Sequence, residues 1–179
     1  MPGMSEKWTY DDLALLPQDG LRHELIDGVH YVNASPIVRH QVILYRLVLA
    51  ISKYLEERPL VQLSFAPMGI PSQYDLDDRD LRFLGDKLHE IVILNDIQGT
   101  PSLLIEVLSQ SDMTQHSLYE RTGVSEYWIV DPVADAVRIF RRNAAGRYER
   151  AAELSSGDVL TSPLLPTLEI PIDTIFAAW

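Results

Sequence analysis

The chain has 179 residues, 46% of them hydrophobic, which is enough for a core in one domain and argues against disorder. Its net charge of −11 argues against a generic nucleic-acid binder, which needs a basic surface to neutralise phosphate, but leaves room for a local basic groove or for carboxylates neutralised by bound cations. With no cysteine there are no disulfides, thiolate zinc sites or cysteine nucleophiles. No apolar run reaches the ~20 residues needed to cross a bilayer and no secretory signal is visible, so a cytoplasmic protein without membrane association is expected.

Residues 9–16 predict a short helix with Thr9 as its cap and Pro17 as its stop. Asp27-Gly28 then separates two strand-like pieces, a strong hairpin signal. A two-residue loop pairs Ile26 with Val29 and Glu24 with Tyr31, so these four residues share one face. Ser35-Pro36 opens a helix expected to run to about Glu57, with His40, Leu44, Leu47, Ile51 and Leu55 on its apolar side. A lone histidine on such a face is more often a core residue than a ligand.

Residues 61–67 and 80–84 read as strands flanking a polar, turn-like stretch, and 88–99 as a crossing loop. Residues 102–108 are short, branched-rich and opened by Pro101, as in a buried strand. A helix over 112–122, closed by Gly123, leads to strands at 125–130 and 136–141 around a Pro-Val-Ala-Asp loop. Another strand is expected near 147–152. Strand pieces broken by Pro163, Pro166 and Pro171 precede a last helix near 173–177. The order predicts one α/β or α+β domain over 1–179, with helices flanking a curved, mixed central sheet.

Glu106 stands inside the apolar run Leu103-Leu104-Ile105-Glu106-Val107-Leu108. Burying an unpaired carboxylate costs several kcal/mol, so a metal ion, a basic partner or a raised pKa must compensate. The plain alternative is a structural ion pair with an arginine. Asp80 opens a strand candidate and could converge with Glu106 from a neighbouring strand, with Glu24 as a third acid. Such a cluster suits a hard divalent cation that keeps several waters. By the residues alone, Asp80 is one acid among Asp75, Asp77 and Asp78, and Glu24 is equally a cross-strand neighbour of Tyr31. Arg138, Arg141, Arg142, Arg147 and Arg150 form a basic cluster that either touches phosphate or, as hairpin charge runs usually do, forms a solvated face. Tyr127 and Trp128 read as core or subunit-interface residues.

Several motifs, in order, resemble the Uma-two family. They are His23-Glu24-Leu25-Ile26-Asp27-Gly28, Ser35-Pro36 with Arg39-His40-Gln41, Glu106-Val107-Leu108-Ser109, Tyr119 followed by Gly123-Val124, Glu126-Tyr127-Trp128-Ile129-Val130-Asp131-Pro132, and Ser162-Pro163-Leu164-Leu165-Pro166. The resemblance spans nearly the whole chain and implies the PD-(D/E)XK restriction-endonuclease-like fold and a DNA endonuclease activity. It implies Asp80, Glu106 and the main-chain carbonyl of Val107 as ligands of magnesium, or manganese in its place. It also implies support from Glu24, and a homodimer with no small-molecule cofactor.

Departures from the family pattern bear on activity. Arg79 replaces the proline before Asp80, Leu108 fills the lysine slot of a Glu-X-Lys motif, and Gln115 stands where the family has a lysine on the following helix. The stretch from Ser109 to Tyr119 is shorter than the family norm, and Gly69 occupies a position where members often carry aspartate. Glutamine donates hydrogen bonds but carries no charge. His116 and Arg121 are substitutes on the same expected helix, although His116 is turned ~100° from Gln115. Two functions follow: a magnesium-dependent endonuclease weakened at Gln115, or an inactive relative serving as a nucleic-acid-binding or protein-interaction module. No nucleophile motif or phosphate loop supports another enzyme class.

Overall fold

The computed structural model describes residues 7–16, 19, 21–26, 28–33, 38–58, 62–65, 81–84, 92–93, 96–97, 101–108 and 123–178. Helix α1 (Tyr10–Ala14) starts at Thr9, whose side chain accepts from the Asp12 amide while the Asp12 carboxylate accepts from the Thr9 amide. That reciprocal capping box explains why so short a segment turns helical. Strands β1 (Arg22–Ile26) and β2 (Val29–Asn33) form the expected hairpin, in the expected register of Glu24 with Tyr31 and Ile26 with Val29. Gly28 takes φ +76°, the left-handed conformation a tight hairpin turn demands. The amide of Trp8 ties the N-terminal segment to the carbonyl of Gly28 at 2.9 Å.

Helix α2 (Val38–Glu56) buries His40, Ile43, Leu47 and Ile51, a three-four-four spacing that makes one stripe. The expected face is shifted slightly, since Ile43 enters the core while Leu44 and Leu55 are only partly buried against it. His40 is fully buried.

Strands β3 (Gln62–Phe65), β4 (Leu81–Leu84), β7 (Leu103–Val107), β8 (Glu126–Asp131), β9 (Ala136–Arg142) and β10 (Tyr148–Leu154) form one sheet. Their order across it is β10-β9-β8-β7-β4-β3. Only β7 and β8 pair in parallel; the other neighbours are antiparallel. A parallel pair cannot be joined by a hairpin and requires a crossover. The helix expected at 112–122 belongs to that connection and lies outside the described residues. The stretch read as a crossing loop holds a small hairpin instead, β5 (Val92–Ile93) with β6 (Asp96–Ile97). Isolated two-residue strands have too little periodicity to show in a sequence.

Every residue of β7 is buried, as expected for a central strand covered on both faces. Leu103, Ile105 and Val107 join Trp128 and Val130 of β8 in a core completed by Ile43, Leu47 and Ile51 of α2. Leu104 faces the other way, into a smaller cluster with Val124, Tyr127 and Ile129. Strand alternation sends Glu106 to this second side.

The C-terminal hairpin, β11 (Val159–Ser162) with β12 (Leu165–Pro171), and helix α3 (Ile172–Phe176) close the first core with Leu160, Leu168, Ile170, Ile172 and Ile175. Polar anchors hold α2 over it. Arg46 donates to the carbonyls of Ile175 and Ala177 at 3.1 and 2.6 Å, capping the end of α3. The Tyr54 hydroxyl donates to the Pro166 carbonyl at 2.8 Å, and Arg39 donates to the Pro132 carbonyl at 2.9 Å. No described helix is long and apolar enough to cross a membrane.

Candidate functional site

Glu106 is 3% exposed, although it carries a carboxylate in the middle of the sheet. The fold compensates with a neighbour on β8. In the parallel ladder Leu104 pairs with Tyr127 and Glu106 with Ile129, so Tyr127 stands diagonally across from Glu106 on the same face. Aromatic side chains span such diagonals. The Tyr127 hydroxyl donates to Oε2 of Glu106. Tyr127 is itself 1% exposed, and its ring lies 6.3 Å, centroid to centroid, from both Phe140 and Tyr148. Leu108, in the slot of a Glu-X-Lys lysine, packs against this same cluster.

Val107 follows Glu106 with 1% exposure and its side chain in the opposite core. On the other flank of β7, β4 runs antiparallel with Leu81 opposite Ile105 and Arg82 opposite Leu104. Asp80, the residue before Leu81, and Gln115, on the expected crossover helix, lie outside the described residues, as do His116, Arg121 and the stretch from Gly69 to Asp78. Glu24 is described only in its backbone, paired with Tyr31. Among the described residues, no group of three or more His, Asp or Glu side chains is placed to hold a metal.

A second buried carboxylate was not singled out by the sequence. Glu126, 2% exposed, accepts from Trp128 Nε1 at 2.6 Å and from Arg141 Nε at 2.7 Å. Its side chain lies on the Trp128 side of β8, since i and i+2 share a face. Glu106 and Glu126 are therefore separate carboxylates on opposite faces of the sheet. The basic cluster is largely committed to acids: Arg138 to Asp131 at 3.0 Å, Arg141 to Glu126, and Arg150 to Glu153 at 2.6 Å. That agrees with reading it as a structural, solvated face. Tyr127 and Trp128 are core residues, as expected, but the role of the Tyr127 hydroxyl was missed. The available signal was a phenol in the buried run Tyr127-Trp128-Ile129-Val130, where a hydroxyl needs a partner.

The hairpin carries one further polar arrangement. His23 Nδ1 and His30 Nε2 are 2.8 Å apart, His23 Nε2 is 3.0 Å from Asp19, and the Trp8 ring stacks on His30 at 4.7 Å.

The sequence model of the Uma2 family, described as "Putative restriction endonuclease", matches residues 9–173. The chain belongs to the Uma2 family. No curated protein matches this Uma2 member. Among solved structures it is similar to one described as a "putative nuclease belonging to DUF820" from Anabaena variabilis, with a TM-score of 0.77 and 17% sequence identity over 94% of this chain and 97% of that one. The likeness carries the fold, which is restriction-endonuclease-like: a mixed central sheet with few helices. The Uma2 membership was legible in the motifs because they are spread along nearly the whole chain, and the matched span covers them.

Proposed function

We propose that this Uma2 protein is a divalent-metal-dependent DNA endonuclease, with Asp80, Glu106 and the carbonyl of Val107 holding magnesium or manganese, and Glu24 supporting them. The observation that carries the reading is Glu106 itself, a carboxylate 3% exposed on the strand at the centre of a restriction-endonuclease-like sheet. The donor chemistry fits the ion: carboxylate and carbonyl oxygens are the hard ligands that magnesium and manganese take. The ladder supports the reading: β4 runs antiparallel beside β7, with Leu81 opposite Ile105, the residue before Glu106.

When bound, such an ion lowers the pKa of water and neutralises charge on a phosphodiester under attack. The chain's own residues do the rest. Asp80 and Glu106 supply the negative charge that recruits the cation, and each would have to stay ionised. Gln115, in place of the family lysine, can orient a water or a phosphate oxygen by donating a hydrogen bond, but adds no charge to the transition state. A slow nuclease follows. The family description and the relative described as a nuclease support the reaction class.

A second reading, an inactive member acting as a nucleic-acid-binding or protein-interaction module, is favoured by two observations. Gln115 stands where the family has its lysine, and the net charge is −11. Plasmid nicking separates the two readings. Nicking in magnesium or manganese by the wild type, lost in Asp80→Asn and Glu106→Gln, supports the enzyme. No cleavage by wild-type protein in excess manganese leaves the module. A homodimer that presents two sites to one duplex is part of the proposal, checked by light scattering.

A further inference from the structure

Resting on the nuclease reading above, we propose that the Glu106 face of the sheet continues across β9 as the surface that holds the DNA backbone, with Arg138 and Arg142 each engaging a phosphate. The ladders fix the placement. Glu106 pairs with Ile129 and Ile129 with Arg138, so Arg138 stands on the same face and in the same row, two strands from Glu106. Adjacent strands lie ~4.8 Å apart, which puts the two Cα positions ~10 Å from each other. Arg142 is four residues further along β9 and shares that face, ~14 Å from Arg138, too far for one phosphate to satisfy both. Arg141 alternates to the opposite face, where it holds Glu126. The arginines of β9 are thus divided by the sheet, and two of them share a side with Glu106.

Arg138 is oriented by its acid. Its Nη2 donates to Oδ2 of Asp131 at 3.0 Å, while Oδ1 of Asp131 accepts from the Val133 and Ala134 amides at 3.0 Å each. That anchored carboxylate belongs to β8, one strand nearer Glu106, so the guanidinium leans towards the site. A guanidinium carries five N–H donors in a planar fork, and one held at an edge is pre-organised to donate others to a phosphate. The Arg138 side chain is 33% exposed. Arg142 is exposed and makes no ion pair among the described residues. Its guanidinium lies against Gly146, where an added Cβ would come within 2.8 Å of Nη2, so the turn glycine leaves room for it. Glu153, the acid that pairs with Arg138 across the β9–β10 ladder, is taken by Arg150 at 2.6 Å. A chain of net charge −11 needs such a local gathering of cations to hold a polyanion.

The test is fluorescence anisotropy of a short labelled DNA duplex with the full chain in magnesium, over a series of KCl concentrations. Each phosphate contact contributes about 0.9 to the slope of log affinity against log salt, so Arg138→Ala and Arg142→Ala should each flatten it by about that much and weaken binding about fivefold near ~0.15 M salt. Arg138→Lys keeps the charge and should restore the slope. Lys53→Ala removes an exposed cation from α2, which packs on the other side of the sheet, and should leave slope and Kd unchanged. A structural arginine would lower Tm without moving the slope. A slope unchanged in either alanine variant overturns the proposal, and plasmid nicking that persists in the wild type then leaves the nuclease reading standing. Wild-type protein that neither binds nor nicks DNA overturns both. Should Arg138→Ala lose the circular dichroism of the wild type, Arg142→Ala decides alone, because its side chain is exposed.

Discussion

Glu126 and Arg141 are register partners across the β8–β9 ladder, and the Nε of Arg141 donates to the Glu126 carboxylate at 2.7 Å. The pair is lopsided: the glutamate side chain is 2% exposed and the arginine side chain 38%. Water screens one end only. Breaking a fully buried pair costs about 3–5 kcal/mol because an uncompensated charge stays inside, and the exposure of Arg141 reduces this. Arg141→Ala should therefore cost about 2 kcal/mol, read as a shift in the urea midpoint with an unchanged slope. An unchanged midpoint would mean that water reaches Glu126 freely.

Gly28→Ala tests the hairpin turn. The residue has φ +76°, and an added Cβ would meet the Lys7 Cβ at 2.6 Å, so both the backbone and the N-terminal segment must give way. A loss of about 1–2 kcal/mol is expected by chemical denaturation, larger than the cost of the conformation alone. A neutral outcome would show that the segment carrying Lys7 and Trp8 is not held against the turn.

His30 of the hairpin makes stability depend on pH. Burial is the main cause holding His30 below its ordinary 6.5, followed by the charge of His23, with Asp19 pulling weakly the other way. The unfolded chain then binds the proton more readily, so the stability from neutral His30 is complete above 6.5 and is lost as pH falls below it. Asp19 is held below 3.8, chiefly by the Leu21 amide and then by His23, so its contribution is lost only as pH falls below 3.8. Between about pH 7.5 and 5.5 the wild-type Tm should drop more than that of His30→Gln, since His30 alone of these two groups titrates there. Parallel Tm curves for the two proteins would remove His30 as the cause.

Metal binding has a thermodynamic signature independent of cleavage. A ligand at a hundredfold its Kd stabilises the native state by about 2.7 kcal/mol, worth several degrees of Tm in a chain of this size. Magnesium or manganese should raise the wild-type Tm, and Glu106→Gln should abolish the rise. A rise that persists in Glu106→Gln would place the ion elsewhere.

Local chemistry was readable in the sequence where one short stretch decides the outcome. Thr9 caps the short helix that follows it, Asp27-Gly28 fixes a register that puts Glu24 opposite Tyr31, and the branched run at Leu103–Val107 fits only a strand covered on both sides. Spread motifs likewise gave the family, since kinship is written in order and spacing. The site was legible in part: Glu106 declared itself as a charge among apolar neighbours, because desolvation makes such a position expensive. Its partner did not. Tyr127 lies 21 positions further along and reaches Glu106 only because β7 and β8 pair in parallel in one register; a slip of one residue would turn it to the opposite face. The same holds for Glu126, whose burial depends on Arg141 arriving from β9. Side-chain period and turn type are properties of adjacent residues, whereas which strands become neighbours is settled by the packing of both sheet faces, and that decided who stands beside each buried acid.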